Sequence, residues 1–261
     1  MNRIDRKFDE LKRKGEKALI PFVTAGDPDL ETTERLVLAM FAAGADLIEL
    51  GVPFSDPVAE GPVIQRASKR SLDGGTTLLK IFEMVRRLRR QTEEPLLLMM
   101  YINTIFRFGT ERFFQLCSEA GVDGVIVPDL PYEEREEIQG AAEQHCVIPI
   151  RLVAPTSHER IEMIADGAKG FLYCVSSTGV TGTRSNFTTD FDAFFGAVKQ
   201  YAKIPCAVGF GISSPEQAKT MASYCDGAIV GSAVVKIVER EQQNSTEPVA
   251  ELIRSLKDAV R

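Results

Sequence analysis

Short apolar runs recur along the whole chain: ALIPFVT (18–24), DLIELGV (46–52), PLLLMMY (95–101), GVIVPD (124–129), CVIPIRLVAP (146–155), GFLYCVSS (170–177), IPCAVGFG (204–211) and DGAIVG (226–231). They are continuous rather than alternating, the pattern of parallel strands buried on both faces. Amphipathic stretches separate them: LETTERLVLAMFAAG, TLLKIFEMVRRLRRQ, TERFFQLCSEAG, YEEREEIQGAAEQH, SHERIEMIADG, FDAFFGAVKQYA and SPEQAKTMASY. Asp29, Thr110, Ser157, Asp190 and Ser214 stand where N-caps belong, and AGAD and EAGVDG end helices on glycine. Units averaging roughly 33 residues, with no linker or shift of composition, predict one α/β domain over 1–261, a (β/α)8 or TIM barrel. A doubly wound sheet is the runner-up, but it needs no set of eight similar units. An extra helix over Ile4 to Lys14 precedes the first strand and is expected to cover the barrel bottom.

The spacing of the runs is uneven in two places. Forty-nine residues separate the starts of the second and third runs, and 34 separate the sixth and seventh. Both gaps carry Gly/Pro-rich text, GVPFSDPVAEGP (51–62) and STGVTGTRSNF (177–187). Barrel chemistry sits at the C-terminal ends of the strands, so these loops are candidate lids.

Composition narrows the class. The chain has 261 residues, 44% of them hydrophobic and 26% charged, which suits a packed core. A net charge of −6 with no basic block argues against nucleic acid, and no apolar run is long enough to span a bilayer. The N-terminus carries no secretory signal pattern. Five scattered cysteines without a C-x-x-C, four in or beside apolar runs, read as reduced thiols of a cytoplasmic protein. With only His145 and His158, both in polar helix-like stretches, neither a histidine metal site nor a Ser/His triad is expected.

The candidate chemistry is acidic. Glu49 lies inside DLIELGV, where apolar neighbours on both faces desolvate a carboxylate and raise its pKa, as a general acid/base needs. The bland reading is a Glu that snorkels out or pairs with an Arg. Asp56 and Glu60 follow in SDPVAEG, and a solvated acidic loop is the common meaning of each taken singly. Three Gly-rich turns, GVTG (179–182), GFGIS (209–213) and GSA (231–233), follow the sixth, seventh and eighth runs and suit a phosphate cradle of backbone N–H groups. Lys169, Lys203 and Lys236 stand away from strand C-termini, so an imine-forming aldolase is disfavoured. What remains is acid/base chemistry on a small phosphorylated substrate. Phe22, Met99, Ile126 and Phe210 are placed to pack a flat ring, although core packing is their default meaning.

These residues form a recognisable set. IELGVPFSDPVAEGPVIQRA (48–67), PFVTAGDP (21–28), MMYINTIFRFG (99–109), GVDGVIVPDLP (121–131), APTS (154–157), FLYCVSSTGVTG (171–182), VGFGISSPEQ (208–217) and GAIVGSAVVKI (227–237) together resemble the tryptophan synthase alpha subunit nearly end to end. The resemblance implies a retro-aldol lyase that cleaves indole-3-glycerol phosphate to indole and glyceraldehyde 3-phosphate. Indole then passes to a pyridoxal-phosphate beta subunit in an α2β2 complex, and the alpha subunit itself uses no metal or cofactor. By that likeness Glu49 protonates indole C3 and Glu60 holds the indole N–H. Tyr173 and Phe22 line the pocket, Thr181 positions the loop acid, and Gly182, Gly211, Gly231 and Ser232 bind phosphate.

The chain departs from the family pattern twice. Glu60 stands where the family usually has Asp, and Ser177 where it commonly has Arg. Asp56 is the alternative second acid. A catalytically weak subunit that activates its beta partner, and a stand-alone indole-releasing lyase, are the alternative functions.

Overall fold

The computed structural model describes residues 1–175, 191–209 and 211–261, excepting the side chains of residues 158 and 159. Its strands are β1 (Ala18–Thr24), β2 (Ile48–Gly51), β3 (Leu96–Met99), β4 (Gly124–Ile126), β5 (Ile148–Val153), β6 (Leu172–Val175), β7 (Cys206–Gly209) and β8 (Gly227–Val230). Each pairs in parallel with the next, and β8 pairs with β1 to close a barrel. The eight apolar runs thus become the eight strands, one per run.

Strand alternation divides the core in two. On β1, Leu19 and Val23 face the outer helices, while Ala18 and Ile20 face inward. The barrel interior is filled by Ile20, Leu47, Leu97, Ile126, Ile150, Tyr173, Ala207 and Ile229. Ile4, Phe8 and Leu11 of the first helix join that interior cluster. The helix runs Arg3–Lys14, capped by Asn2, whose side chain accepts from the Ile4 N–H, and ended by Gly15 at φ 70°. Asn2 Nδ2 also donates to the Asp123 carbonyl at 3.0 Å, which ties the helix beneath β4 as a bottom plug.

Three aspartates stand just ahead of β2, β4 and β8, and each carboxylate accepts a backbone N–H from the preceding strand. Asp46 takes Leu19 at 2.7 Å, Asp123 takes Leu96 at 2.9 Å, and Asp226 takes Cys206 at 3.0 Å. The donor strands are β1, β3 and β7, so one pinning device recurs along strand pairs although the sequence shows no clear internal repeat. All three pins are also ion paired: Asp46 with Lys257 at 2.8 Å, Asp123 with Arg89 at 2.6 Å and Arg3 at 3.1 Å, and Asp226 with Lys17 at 3.6 Å.

The helices differ from expectation in places. Asp29 and Ser214 cap as expected, through the N–H groups of Thr32 and Gln217. Thr110 is the first helical residue after Gly109, and Ser157 lies inside the 3-10 segment Pro155–Arg160; Asp190 falls outside the described residues. The long gap after β2 contains a helix, Pro62–Asp73, whose buried face (Ile64, Ala67, Ser68, Ser71) is too small and polar to print an apolar stripe. Helices Ile102–Phe108 and Thr246–Val260 were also not expected. The latter does carry a stripe, Val249, Ile253, Leu256 and Val260. All five cysteines are free, with Cys117, Cys174, Cys206 and Cys225 buried. Among the described residues, no helix is long and apolar enough to cross a membrane.

The bottom pins make a stability prediction. Asp123→Ala leaves the Arg89 guanidinium and the Leu96 N–H without their buried acceptor, a loss of about 3–5 kcal/mol. Urea unfolding should show that loss; a change under about 1 kcal/mol would mean the pin carries no weight.

Candidate active site

Glu49 sits in β2 between Ile48 and Leu50, whose side chains pack outward against the helices. Its own side chain therefore points into the barrel, in register with Phe22 on β1 and Leu97 on β3. It is fully buried, and neither carboxylate oxygen has a hydrogen-bond partner among the described residues. Burial alone pushes its carboxyl up to about 8. No arginine pairs with it among the described residues, and it does not snorkel to the surface.

Aromatic rings close around this carboxyl. A Cβ added at Gly51 would lie 2.4 Å from the Phe22 ring, so the absence of a side chain at Gly51 is what admits Phe22 beside β2. Phe22 packs onward against Ile64, Ala67 and Val235, and Met99 bridges this cluster to the barrel interior. Tyr173 on β6 is buried, and burial first, then the charge of Glu49, raises its phenol well above the ordinary value. Gly209 leaves room for that ring; a Cβ there would come within 2.6 Å of the Tyr173 hydroxyl. Ile126 lies fully buried in the same interior layer.

Glu60 ends the loop that follows β2, just ahead of helix Pro62–Asp73. It is half-buried, its Oε2 is sequestered without a partner among the described residues, and burial pushes the carboxyl up to about 7. Its loop is held at several points. The Ala59 N–H donates to the Tyr101 hydroxyl at 3.0 Å, and the Tyr101 ring stacks on Phe54 with centroids 5.0 Å apart. Gln65 Nε2 donates to the Glu60 carbonyl at 2.7 Å. Burial, backed by the charge of Glu60, pushes the Tyr101 phenol up to about 12. Sequence reasoning passed over Tyr101. Its signal was an aromatic ending the third apolar run, at the lip of the barrel. Asp56 is exposed and accepts from the Ser55 hydroxyl at its side, so it faces away from the carboxyl pair's dry surroundings.

On the far side of Phe22, Gly231 precedes the helix Ser232–Glu241. The first bond of that helix runs from the Val235 N–H to the Gly231 carbonyl, so the N–H groups of Ser232, Ala233 and Val234 lie ahead of the helical ladder. This is the geometry that receives an anion, with the helix dipole aligned to favour it. Gly211 has φ 57°, a conformation that favours glycine. Thr181, Gly182, Phe210 and Ser177 lie outside the described residues. Among the described residues no group of three or more His, Cys, Asp or Glu is placed to hold a metal ion.

Comparisons with known proteins agree with this geometry. A family model described as the tryptophan synthase alpha chain matches residues 8–261. The tryptophan synthase alpha chain of Alkaliphilus metalliredigens is 50% identical over 258 residues, covering 98% of this chain and 97% of the relative. The crystal structure of tryptophan synthase subunit alpha from Legionella pneumophila is 37% identical with a TM-score of 0.90, covering 100% of this chain and 98% of that one. The tryptophan synthase complex from Pyrococcus furiosus contains a chain 35% identical with a TM-score of 0.84, covering 92% and 98%.

The buried carboxyl has a consequence independent of any activity. Between its ordinary value of 4.5 and about 8, folded Glu49 keeps a proton that the unfolded chain releases. Stability contributed by the neutral acid is therefore present below about pH 4.5 and is lost as pH rises to about 8, by up to about 1.4 kcal/mol per pH unit. Glu49→Gln removes that titration. The variant should gain stability relative to wild type on going from pH 5 to pH 8 in urea unfolding. A difference between the two that does not change with pH would show that Glu49 titrates normally.

Proposed function

The chain belongs to the tryptophan synthase alpha chain family, a lyase that cleaves indole-3-glycerol phosphate, and on that premise we propose that Glu49 is its proton donor and Glu60 the carboxylate that holds the indole N–H. The observation that carries the reading is the bare, fully buried Glu49 carboxyl that β2 points into the barrel, pushed up to about 8. A carboxylic acid that is neutral near pH 7 can give its proton to carbon.

The reaction follows from that placement. Glu49 protonates indole C3, and positive charge develops on the ring nitrogen. The Glu60 carboxylate, opposite in sign and poorly solvated, stabilises that charge through the N–H. The hydroxyl on the carbon attached to C3 then loses its proton to the Glu49 carboxylate. The C–C bond breaks, its electrons return to the ring, and indole and glyceraldehyde 3-phosphate leave with Glu49 protonated again. Phe22, Met99, Ile126 and Tyr173 supply a flat apolar slot for the indole. Gly211, Gly231 and Ser232, with Gly182, bind the phosphate through backbone N–H groups; Thr181 positions Glu60 and Phe210 completes the slot. No metal or cofactor enters this subunit's steps.

We further propose that residues 1–261 act as one domain in the cytoplasm. They pair with a beta subunit in an α2β2 complex whose pyridoxal phosphate consumes the indole. The likeness to a chain of the Pyrococcus furiosus complex supports the partnership, and five free thiols suit a reducing compartment. The test is indole release with and without beta subunit. Glu49→Gln should lose about 10²–10⁴-fold in turnover while the complex still forms. A weak wild-type rate at saturating beta subunit would favour a mainly activating role, and full release without it a stand-alone lyase.

The two carboxyl values predict a narrow pH profile. Free-protein kcat/KM requires Glu60 charged and Glu49 protonated, so it should rise through about pH 7 and fall through about pH 8. A flat profile between pH 6 and 9 would remove one of the two assignments. Separately, Glu60→Ala should lower turnover strongly with phosphate affinity kept, whereas Glu60→Asp should match or exceed wild type. An active Glu60→Ala beside an inactive Asp56→Ala would move the role to Asp56.

A further inference from the structure

Thr24, the last residue of β1, is 1% exposed, and its hydroxyl has no hydrogen-bond partner among the described residues. A buried hydroxyl left unmade costs about 1–3 kcal/mol, and a neighbouring protein acceptor normally meets it. Among the described residues nothing requires a polar side chain here: valine has the same shape and would carry no orphaned group.

Its position indicates what the hydroxyl faces. Residues 18 and 20 of β1 point into the barrel, Phe22 points to the mouth cluster, and 19 and 23 point out, so Thr24 shares the inward parity one layer above Phe22. Its Cα partner on β2 is Gly51, two residues beyond Glu49, which offers no side chain to bond or block it. On the other flank the β1–β8 ladder reaches only Pro21–Val230, and the chain continues into Gly231 and Ser232 at the start of the anion-receiving helix. Thr24 therefore ends the strand that lies between the one carrying Glu49 and the one running into those helix N–H groups. In a substrate that spans the two, the connecting piece is the hydroxyl-bearing three-carbon chain.

We propose that the Thr24 hydroxyl binds a glycerol hydroxyl of the substrate and so positions the carbon chain for cleavage. This rests on the lyase reading above and adds a residue to it. A threonine hydroxyl both donates and accepts, so it suits an alcohol partner better than a carboxylate or a ring edge. The stability sacrificed in the free protein is recovered on binding, when the orphaned group acquires its partner.

The experiment compares Thr24→Val and Thr24→Ser, each saturated with beta subunit. Thr24→Val should be at least as stable as wild type, because no protein hydrogen bond is lost, yet its kcat/KM for indole-3-glycerol phosphate should fall roughly fivefold to tenfold. Its affinity for the analogue with a plain propanol chain, and for inorganic phosphate, should be unchanged. Thr24→Ser, which keeps the hydroxyl, should stay within about twofold of wild type. Three outcomes overturn the proposal: wild-type kcat/KM in the valine variant; equal losses for the substrate and the propanol analogue; or destabilisation by valine, which would mean the hydroxyl has a protein partner. An inactive wild type, or an active Glu49→Gln, would instead sink the lyase reading while leaving the stability and analogue-binding arms interpretable.

Discussion

One carboxyl kept dry organises this protein. Glu49 can hold a proton near neutrality only if no water and no cation reaches it, because either would restore the ordinary acidity of a carboxylic acid. Every requirement on the surrounding fold follows from that. The strand carrying it must be covered on its outer face, as Ile48 and Leu50 are by the helix layer. The barrel below must be filled, and Leu97, Ile126 and the plug residues Ile4, Phe8 and Leu11 fill it. The mouth must be roofed by rings, which is why β2 has a glycine at 51 and β7 one at 209: each gives up a side chain so that Phe22 or Tyr173 can approach.

Such a mouth is destabilising by construction, and the opposite end compensates. Orphaned oxygens on Glu49, Glu60 and Thr24 gather at the C-terminal rim. The N-terminal rim holds polar groups of the opposite kind, with each pin carboxylate bonded to a strand N–H and facing a cation. Asp46 and Asp123 each satisfy a strand N–H and a buried cation at once. The division is physical rather than accidental: strand C-termini converge on a space that must remain available to a ligand, while N-terminal ends can be sealed permanently.

The sequence made the barrel legible because strands covered on both faces appear as unbroken apolar runs, and eight of them at a steady interval leave few other architectures. It hid the helix Pro62–Asp73 because that helix buries Ala67, Ser68 and Ser71, residues without hydrophobic contrast. Thr246–Val260 carries a legible stripe, Val249, Ile253, Leu256 and Val260, but lies beyond the last strand, where the alternation of strands and helices no longer calls for an element. In the candidate site Glu49 was visible for the same reason as the barrel, a charge set among apolar neighbours. Glu60 and Asp56 were inseparable by type and spacing; only three-dimensional burial distinguishes them, one sequestered at Oε2 and the other facing solvent. Tyr101 was unreadable as a clamp because its partner is a backbone N–H, and no residue type at position 59 announces that bond.

That clamp bears on the chain's departure from its family at position 60. The loop backbone is tied on both sides of the residue, by Tyr101 at Ala59 and by Gln65 at the Glu60 carbonyl. With its main chain so held, the loop has little freedom to retreat and absorb a longer side chain. The additional methylene of Glu over Asp is then expressed as reach, carrying the carboxyl about a bond length further from its backbone. Greater reach into an apolar mouth means greater desolvation, in line with a carboxyl pushed up to about 7 by burial alone. A poorly solvated carboxylate interacts more strongly with a developing cation than a hydrated one does, but it is also more readily protonated. Glutamate at this position therefore exchanges pH range for electrostatic strength, and the narrowness of that range is set by the same dryness that keeps Glu49 acidic.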